Sequence, residues 1–172
     1  MNNTNIMLIG FMGTGKTTIS HYLSTMLDME EFEIDDLIVD KEGMSINEIF
    51  KNYGEEYFRD CESEIIMELQ KKKNVVISCG GGIVLREKNI VNMKKQGKIV
   101  LLTASPKAVY LRVKEDKQRP ILADNMNVEY ISELMEKRRK QYEHAADITI
   151  HTDDKSIAQI CEELIEQLNL KS

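Results

Sequence analysis

Short apolar runs alternate with longer amphipathic stretches along most of the chain. The runs at 6–9, 75–78, 99–102 and 148–150, with a weaker one at 32–34, are continuous, as strands of a parallel sheet buried on both faces are. Between them the apolar positions take helical spacing: Phe58, Cys61, Ile65, Ile66 and Leu69 within 55–73, and Ile157, Ile160, Cys161, Leu164, Ile165 and Leu168 near the end. A further helix is expected over 18–27. Ser45-Ile46-Asn47-Glu48 has the form of a capping box, and Pro106 stands at the start of a helical stretch over 107–114, where proline is tolerated. Strands alternating with helices predict an α/β fold. We expect one three-layer domain over 1–172, with a five-stranded parallel sheet, helices on both faces and ligands at the carboxyl ends of the strands.

Two segments break the alternation. Residues 115–124 are polar, lie between two helical patterns and contain Pro120, which opposes helix at residue 119. They are expected to form a mobile lid over about 115–125. Cys79-Gly80-Gly81-Gly82 follows the third run, and its glycines predict a turn tight enough for a ligand to approach main-chain N–H groups.

Composition narrows the setting. The 172 residues suit a single core, and the formal net charge of −6 argues against nucleic acid or an anionic membrane as the main partner. Three cysteines without C-x-x-C spacing suggest neither a disulfide framework nor a zinc site, and fit a reduced, cytoplasmic compartment. The first residues lack a basic stretch, and their apolar run leads into glycines instead of a cleavage site. No apolar run approaches the roughly 20 residues of a bilayer span. His21, His144 and His151 are scattered among helix and strand patterns, and we assign them no catalytic role.

The most specific chemistry lies directly after the first run, where Gly10-Phe11-Met12-Gly13-Thr14-Gly15-Lys16-Thr17 fits the phosphate-binding pattern G-x-x-x-x-G-K-[ST]. Glycines let N–H groups curl around phosphate oxygens, Lys16 reaches the β- and γ-phosphates, and the Thr17 hydroxyl can ligate Mg²⁺. The helix that follows would point its positive end at the same phosphates. Such a loop implies a nucleoside triphosphate but not the acceptor. Glu33, Asp35 and Asp36 close the second run, where one carboxylate could draw off an acceptor proton and another hold Mg²⁺ through water. They equally suit the first turn of a following helix, where negative charge is favourable. Arg59 lies early in a long helix, where a cation opposes the dipole, so it is a candidate anion ligand as well as a candidate surface residue.

Gly10 to Thr17, Glu33-x-Asp35, Gly54-Glu55-Glu56-Tyr57-Phe58-Arg59, Gly80-Gly81-Gly82, Arg119-Pro120-Ile121-Leu122 and Arg138-x-x-x-Tyr142 resemble, in order and spacing, the motifs of shikimate kinases over about residues 6–168. The resemblance implies the P-loop kinase fold and phosphoryl transfer from ATP, with one Mg²⁺, to the 3-hydroxyl of shikimate. The expected setting is a cytoplasmic monomer on the route to chorismate and the aromatic amino acids. By position it implies that Asp35 binds the shikimate hydroxyls and assists deprotonation. Arg59 and Arg138 would grip the carboxylate, and Gly80, Gly81 and Gly82 would line the pocket, with an acceptor-binding segment over about 33–62. Gly13, Thr14, Gly15, Lys16, Thr17 and Thr18 would hold the nucleotide phosphates. Arg112 would pack on adenine beside Asp153, Arg119 would close from the lid onto the transferring phosphate, and Ser78 would stand near the water shell of the metal.

Two positions depart from the family pattern. Glu33 stands where the family usually has aspartate, one methylene shorter, which affects its water-mediated metal contact. Lys140 stands where proline is common, so the helix is expected to run on. There Arg138 and Arg139 project about 100° apart, and Arg138 is chosen by its distance to Tyr142, with Arg139 as the alternative. Other readings are a gluconate-type or other small-metabolite kinase and a non-catalytic nucleotide- or shikimate-binding module.

Overall fold

The structure, a computed structural model, describes residues 4–114 and 127–170. Its strands are β1 (Asn5–Ile9), β2 (Glu30–Glu33), β3 (Val75–Ser78), β4 (Gly97–Thr103) and β5 (Ile148–His151). Its helices are α1 (Lys16–Leu27), α2 (Ile34–Glu42), α3 (Ile46–Glu68), α4 (Glu87–Gln96), α5 (Pro106–Val113), α6 (Val128–Ala145) and α7 (Ile157–Gln167). The strands pair in parallel in the order β2-β3-β1-β4-β5.

Side chains alternate across a strand, so each central strand feeds two cores. Met7 and Ile9 of β1, Val75 and Ile77 of β3, and Ile99 and Leu101 of β4 pack with residues of α2, α3, α4 and α6. Ile6, Leu8, Val76, Val100, Leu102 and Ile150 pack with α1 and α7 on the other face. Both faces being covered is why these runs are unbroken in the sequence. A third, smaller cluster of Phe11, Met12, Val109, Val113 and Ile131 holds α5 and α6 against the loop after β1.

Two elements differ from expectation. The second strand runs over Glu30–Glu33, not 32–34, and Ile34 already begins α2. β2 is an edge strand paired only with β3, so its acidic side chains stay partly in water and leave no apolar signature. α3 joins a first segment behind the Ser45–Glu48 capping box to the helix expected over 55–73, which ends at Glu68 before a 3-10 turn over Leu69–Lys71. It changes direction at Gly54 (φ 81°, ψ 174°), a backbone conformation essentially confined to glycine. As the lysine at 140 predicts, α6 continues through it to Ala145. The lid over 115–125, with Arg119, lies outside the described residues. Among the described residues no helix is long and apolar enough to cross a membrane.

Leu23 of α1 is fully buried in the α1–α7 core, whereas Met26 on the same helix is exposed. Leu23→Ala is expected to cost about 2–5 kcal/mol and Met26→Ala less than about 0.5 kcal/mol, read as a shift in urea midpoint at constant slope.

Candidate active site

The carboxyl ends of β1, β2 and β3 open onto a cleft of about 590 Å³, walled on one side by the start of α1 and on the other by Arg112 and Val113 of α5. Helices α3, α5, α6 and α7 each begin with a side-chain cap, from Ser45, Ser105, Asn127 and Ser156. By contrast, α1 begins at Gly15 (φ 91°, ψ 19°) with no side-chain cap and no acidic residue in its first turn. Its first N–H groups and its positive pole therefore face the cleft uncompensated, which suits an anion. Gly13, Gly15, Lys16, Thr17 and Thr18 line this end. The Lys16 ammonium donates to the carbonyls of Gly10 (2.8 Å) and Phe11 (3.0 Å), and Arg112 Nη1 donates to the Gly13 carbonyl (3.0 Å). Thr14 is turned inward, its hydroxyl on the Phe11 carbonyl at 2.8 Å, where it pins the loop.

Glu33, Asp35 and Asp36 all line the cleft. Asp35 and Asp36 occupy the first turn of α2 and Glu33 its N-cap position, as the helix reading of these acids expects. The Thr17 hydroxyl donates to Glu33 Oε1 at 2.8 Å. Burial pushes the Glu33 carboxyl above its ordinary range, opposed by hydrogen bonds from Ser78 and Thr17. Ser78 is the register partner of Glu33 across the β2–β3 ladder, which is why the two meet. A hydroxyl backed by a carboxylate suits a hard cation such as Mg²⁺. Among the described residues no group of three or more His, Cys, Asp or Glu side chains could hold a metal ion. A cation at Thr17 and Glu33 would therefore draw most of its ligands from phosphate and water.

Deeper in, two arginines from different helices converge on the turn after β3. Arg59 and Arg138 are only 4% and 6% exposed. Arg138 Nη1 donates to the Gly81 carbonyl at 3.2 Å, as does the Tyr142 hydroxyl, and its guanidinium lies over the Phe11 ring at 5.9 Å. Arg139 projects outward and pairs with Glu136 on the surface. Arg59 donates from Nη1 to Glu62 Oε2 (2.7 Å) and from Nη2 to Glu55 Oε1 (3.0 Å). Burial disfavours its charge, but Glu62 and Glu55 outweigh that and hold it protonated.

Gly80, Gly81 and Gly82 do not have positive φ angles. At Gly80 and Gly82 the requirement is space. A side chain at Gly82 would collide with the Arg59 guanidinium, and one at Gly80 would start 2.6 Å from Glu62 Oε1 and 3.2 Å from Asp35 Oδ1. Asp153 does not line the cleft: its carboxylate accepts from the Ser105 N–H at 3.0 Å and ties the loop after β5 to the start of α5.

Glu62 went unnoticed in the sequence. It is fully buried, and burial pushes its carboxyl up to about 7, opposed by Arg59. A signal was present, since an acid at 62 falls inside the apolar stripe 58, 61, 65, 66, three residues after a cation. Phe11 and Phe58, which lie beneath the two guanidiniums, gave no signal beyond their apolarity.

A family model described as shikimate kinase matches residues 12–169. The chain is 43% identical over 161 residues to a shikimate kinase of Caldanaerobacter subterraneus subsp. tengcongensis, covering 94% of each. A solved shikimate kinase from Acinetobacter baumannii, in complex with shikimate, superposes with TM-score 0.93 at 30% identity over 98% of this chain and 94% of that one. One from Aquifex aeolicus does so with TM-score 0.84 at 36% identity over 96% of each.

Cys79, beside the glycine turn, is buried like Cys61 and Cys161, and burial raises all three thiols, the latter two to about 11. A raised thiol holds almost no thiolate at pH 8. Ellman's reagent is expected to find essentially no reactive thiol in the native protein at that pH, and all three after unfolding in guanidinium chloride.

Proposed function

The chain belongs to the shikimate kinase family, and from that premise we propose how its cleft transfers the γ-phosphoryl group of ATP to the 3-hydroxyl of shikimate. The products are shikimate 3-phosphate and ADP. Enzymes of this family work with ATP and Mg²⁺, and the chain is a phosphotransferase acting on an alcohol. The observation that carries our assignment of the acceptor pocket is the pair of buried arginines, Arg59 and Arg138, packed on Gly82 and bonded to Gly81. Arg138 hydrogen-bonds a neutral carbonyl, so its charge is available to an incoming carboxylate.

The nucleotide phosphates lie along the loop from Gly10 to Thr17 and the uncapped start of α1, with Lys16 turned from its carbonyls onto the β- and γ-phosphates. Adenine lies towards Arg112. Thr17 would hold Mg²⁺ directly and Glu33 through water, and the ion would supply neutralisation of charge on the phosphate oxygens. At the other end Arg59 and Arg138 grip the shikimate carboxylate and so fix the ring, and N–H groups of Gly80 to Gly82 line its edge. Asp35 accepts the proton of the 3-hydroxyl as that oxygen bonds to the γ-phosphorus and the bond to the ADP oxygen breaks. Phosphoryl transfer needs little covalent help, so fixing both ends of the line of attack supplies most of the acceleration. Arg119 and a contribution of Asp153 to the nucleotide pocket remain part of this reading from the sequence. We place the chain as a cytoplasmic monomer, with no nucleic-acid or membrane partner.

A coupled ADP-release assay with Mg-ATP tests the acceptor: release is expected with shikimate and not with gluconate, CMP or no acceptor. Asp35→Asn is expected to lower kcat by roughly 10²–10⁴-fold with the ATP dissociation constant little changed. Equal loss of both would remove the role given to Asp35. Arg138→Ala should lower kcat/KM for shikimate at least roughly tenfold, the worth of a charge-assisted hydrogen bond, and Arg139→Ala should leave it near the unaltered value.

A further inference from the structure

Glu62 is the one fully buried acid of the described residues, and neither phosphate binding nor proton removal from the acceptor uses it. It sits in the middle of α3 behind Arg59, which it meets through Oε2 alone. Its other oxygen, Oε1, is buried with no hydrogen-bond partner among the described residues and points towards Gly80, beside Asp35 Oδ1. Burying an ionised carboxylate with half of its acceptor capacity unmet is costly unless nearby cations offset it.

The charges around it nearly cancel. Arg59 and, at the screened rim, Glu55 face it from α3, Asp35 from α2, the Cys79 thiol from the turn after β3, and Arg138 and the Tyr142 hydroxyl from α6. Among the described residues two buried arginines thus stand against the carboxylates of Glu62 and Asp35, with the Glu55 carboxylate on Arg59 half in water and screened. A substrate carboxylate on the arginines is a third, and it draws on the same cations that keep Glu62 ionised.

We infer that Glu62 takes up a proton when shikimate binds, because the incoming carboxylate leaves the two buried arginines outnumbered and Glu62 Oε1 is the unpaired oxygen that can take it. The balance is simple: one proton passes from solvent to Oε1, and the neutral acid keeps Oε2 as acceptor for Arg59. Asp35 is the poorer site, since it is solvent-exposed in the first turn of α2, where the helix dipole favours its anion. Burial already holds Glu62 at about 7, so a modest further rise decides its state at neutral pH. The sign follows from linkage: uptake on binding means that affinity for shikimate falls as pH rises through and above the pKa of Glu62 in the unliganded protein.

This inference rests on the acceptor reading above, and titration calorimetry separates the two. Shikimate is titrated into the full-length protein at pH 7 in phosphate and in Tris, buffers of small and large ionisation enthalpy. The observed heats are expected to differ by the Tris ionisation enthalpy times about half a proton. From pH 7 to pH 8 the dissociation constant should rise several-fold, towards the limit of about tenfold per unit. In Glu62→Gln both effects should vanish. Saturable binding with equal heats in the two buffers would overturn proton uptake while leaving the acceptor reading intact, and no saturable heat would overturn the acceptor reading itself. A buffer difference that survives in Glu62→Gln would overturn the assignment to Glu62. Should that variant not fold, the Glu62 carboxyl carbon, followed by NMR in the unaltered protein, is expected to move towards the protonated position on adding shikimate, and a fixed shift would overturn the assignment.

Discussion

A guanidinium cannot shed its charge, so burying Arg59 and Arg138 obliges the surrounding structure to supply acceptors for both. Much of the local architecture answers that demand. Glu62 occupies a position in the apolar stripe of α3 that packing alone would give to a leucine. Phe58 and Phe11 lie beneath the two guanidiniums, where ring faces favour a cation without competing for its donors. The turn after β3 gives up side chains to make room and lends the Gly81 carbonyl, which Tyr142 also engages. Such an arrangement is poor evidence of stability, since a buried ion pair of this kind seldom outperforms well-packed apolar residues. On the proposed reading its value is a pair of desolvated cations, held ready beneath the glycine turn for a carboxylate.

The start of α1 is suited to negative charge by a different device. The start of α1 has no side-chain cap and no acid in its first turn, although four other helices of the same chain are capped by serine or asparagine. α2 and α4 also lack a side-chain cap but carry acids in their first turns, so among the α-helices of the described residues α1 alone leaves its positive pole with neither. Backbone dipoles suit a phosphate chain, with many oxygens and a diffuse charge. A planar carboxylate is better met by the fork of an arginine. Between the two poles stand Glu33 and Asp35, delivered by β2 and the first turn of α2. The order β2-β3-β1-β4-β5 sets the end of β2 across β3 from the phosphate loop, so that acidic groups line the same cleft as that loop.

The sequence by itself determined the parallel sheet, its two covered faces and the phosphate loop. Each of these is written in local pattern: unbroken apolar runs, helical stripes, and glycines and a lysine at fixed spacing within eight residues. It misplaced the bounds of β2, because an edge strand holds its place by backbone pairing and needs no apolar run. The tertiary structure alone decided what depends on neighbours far apart in the chain. It turned Arg138 inward and Arg139 outward, brought Glu62 against the turn at Gly80, and set Glu33 beside Thr17 and Ser78. It also tied the Asp153 carboxylate to the Ser105 N–H. The physical reason is that a charged residue declares its type in sequence but not its solvation, and only packing decides which few charges lose their water and must answer one another.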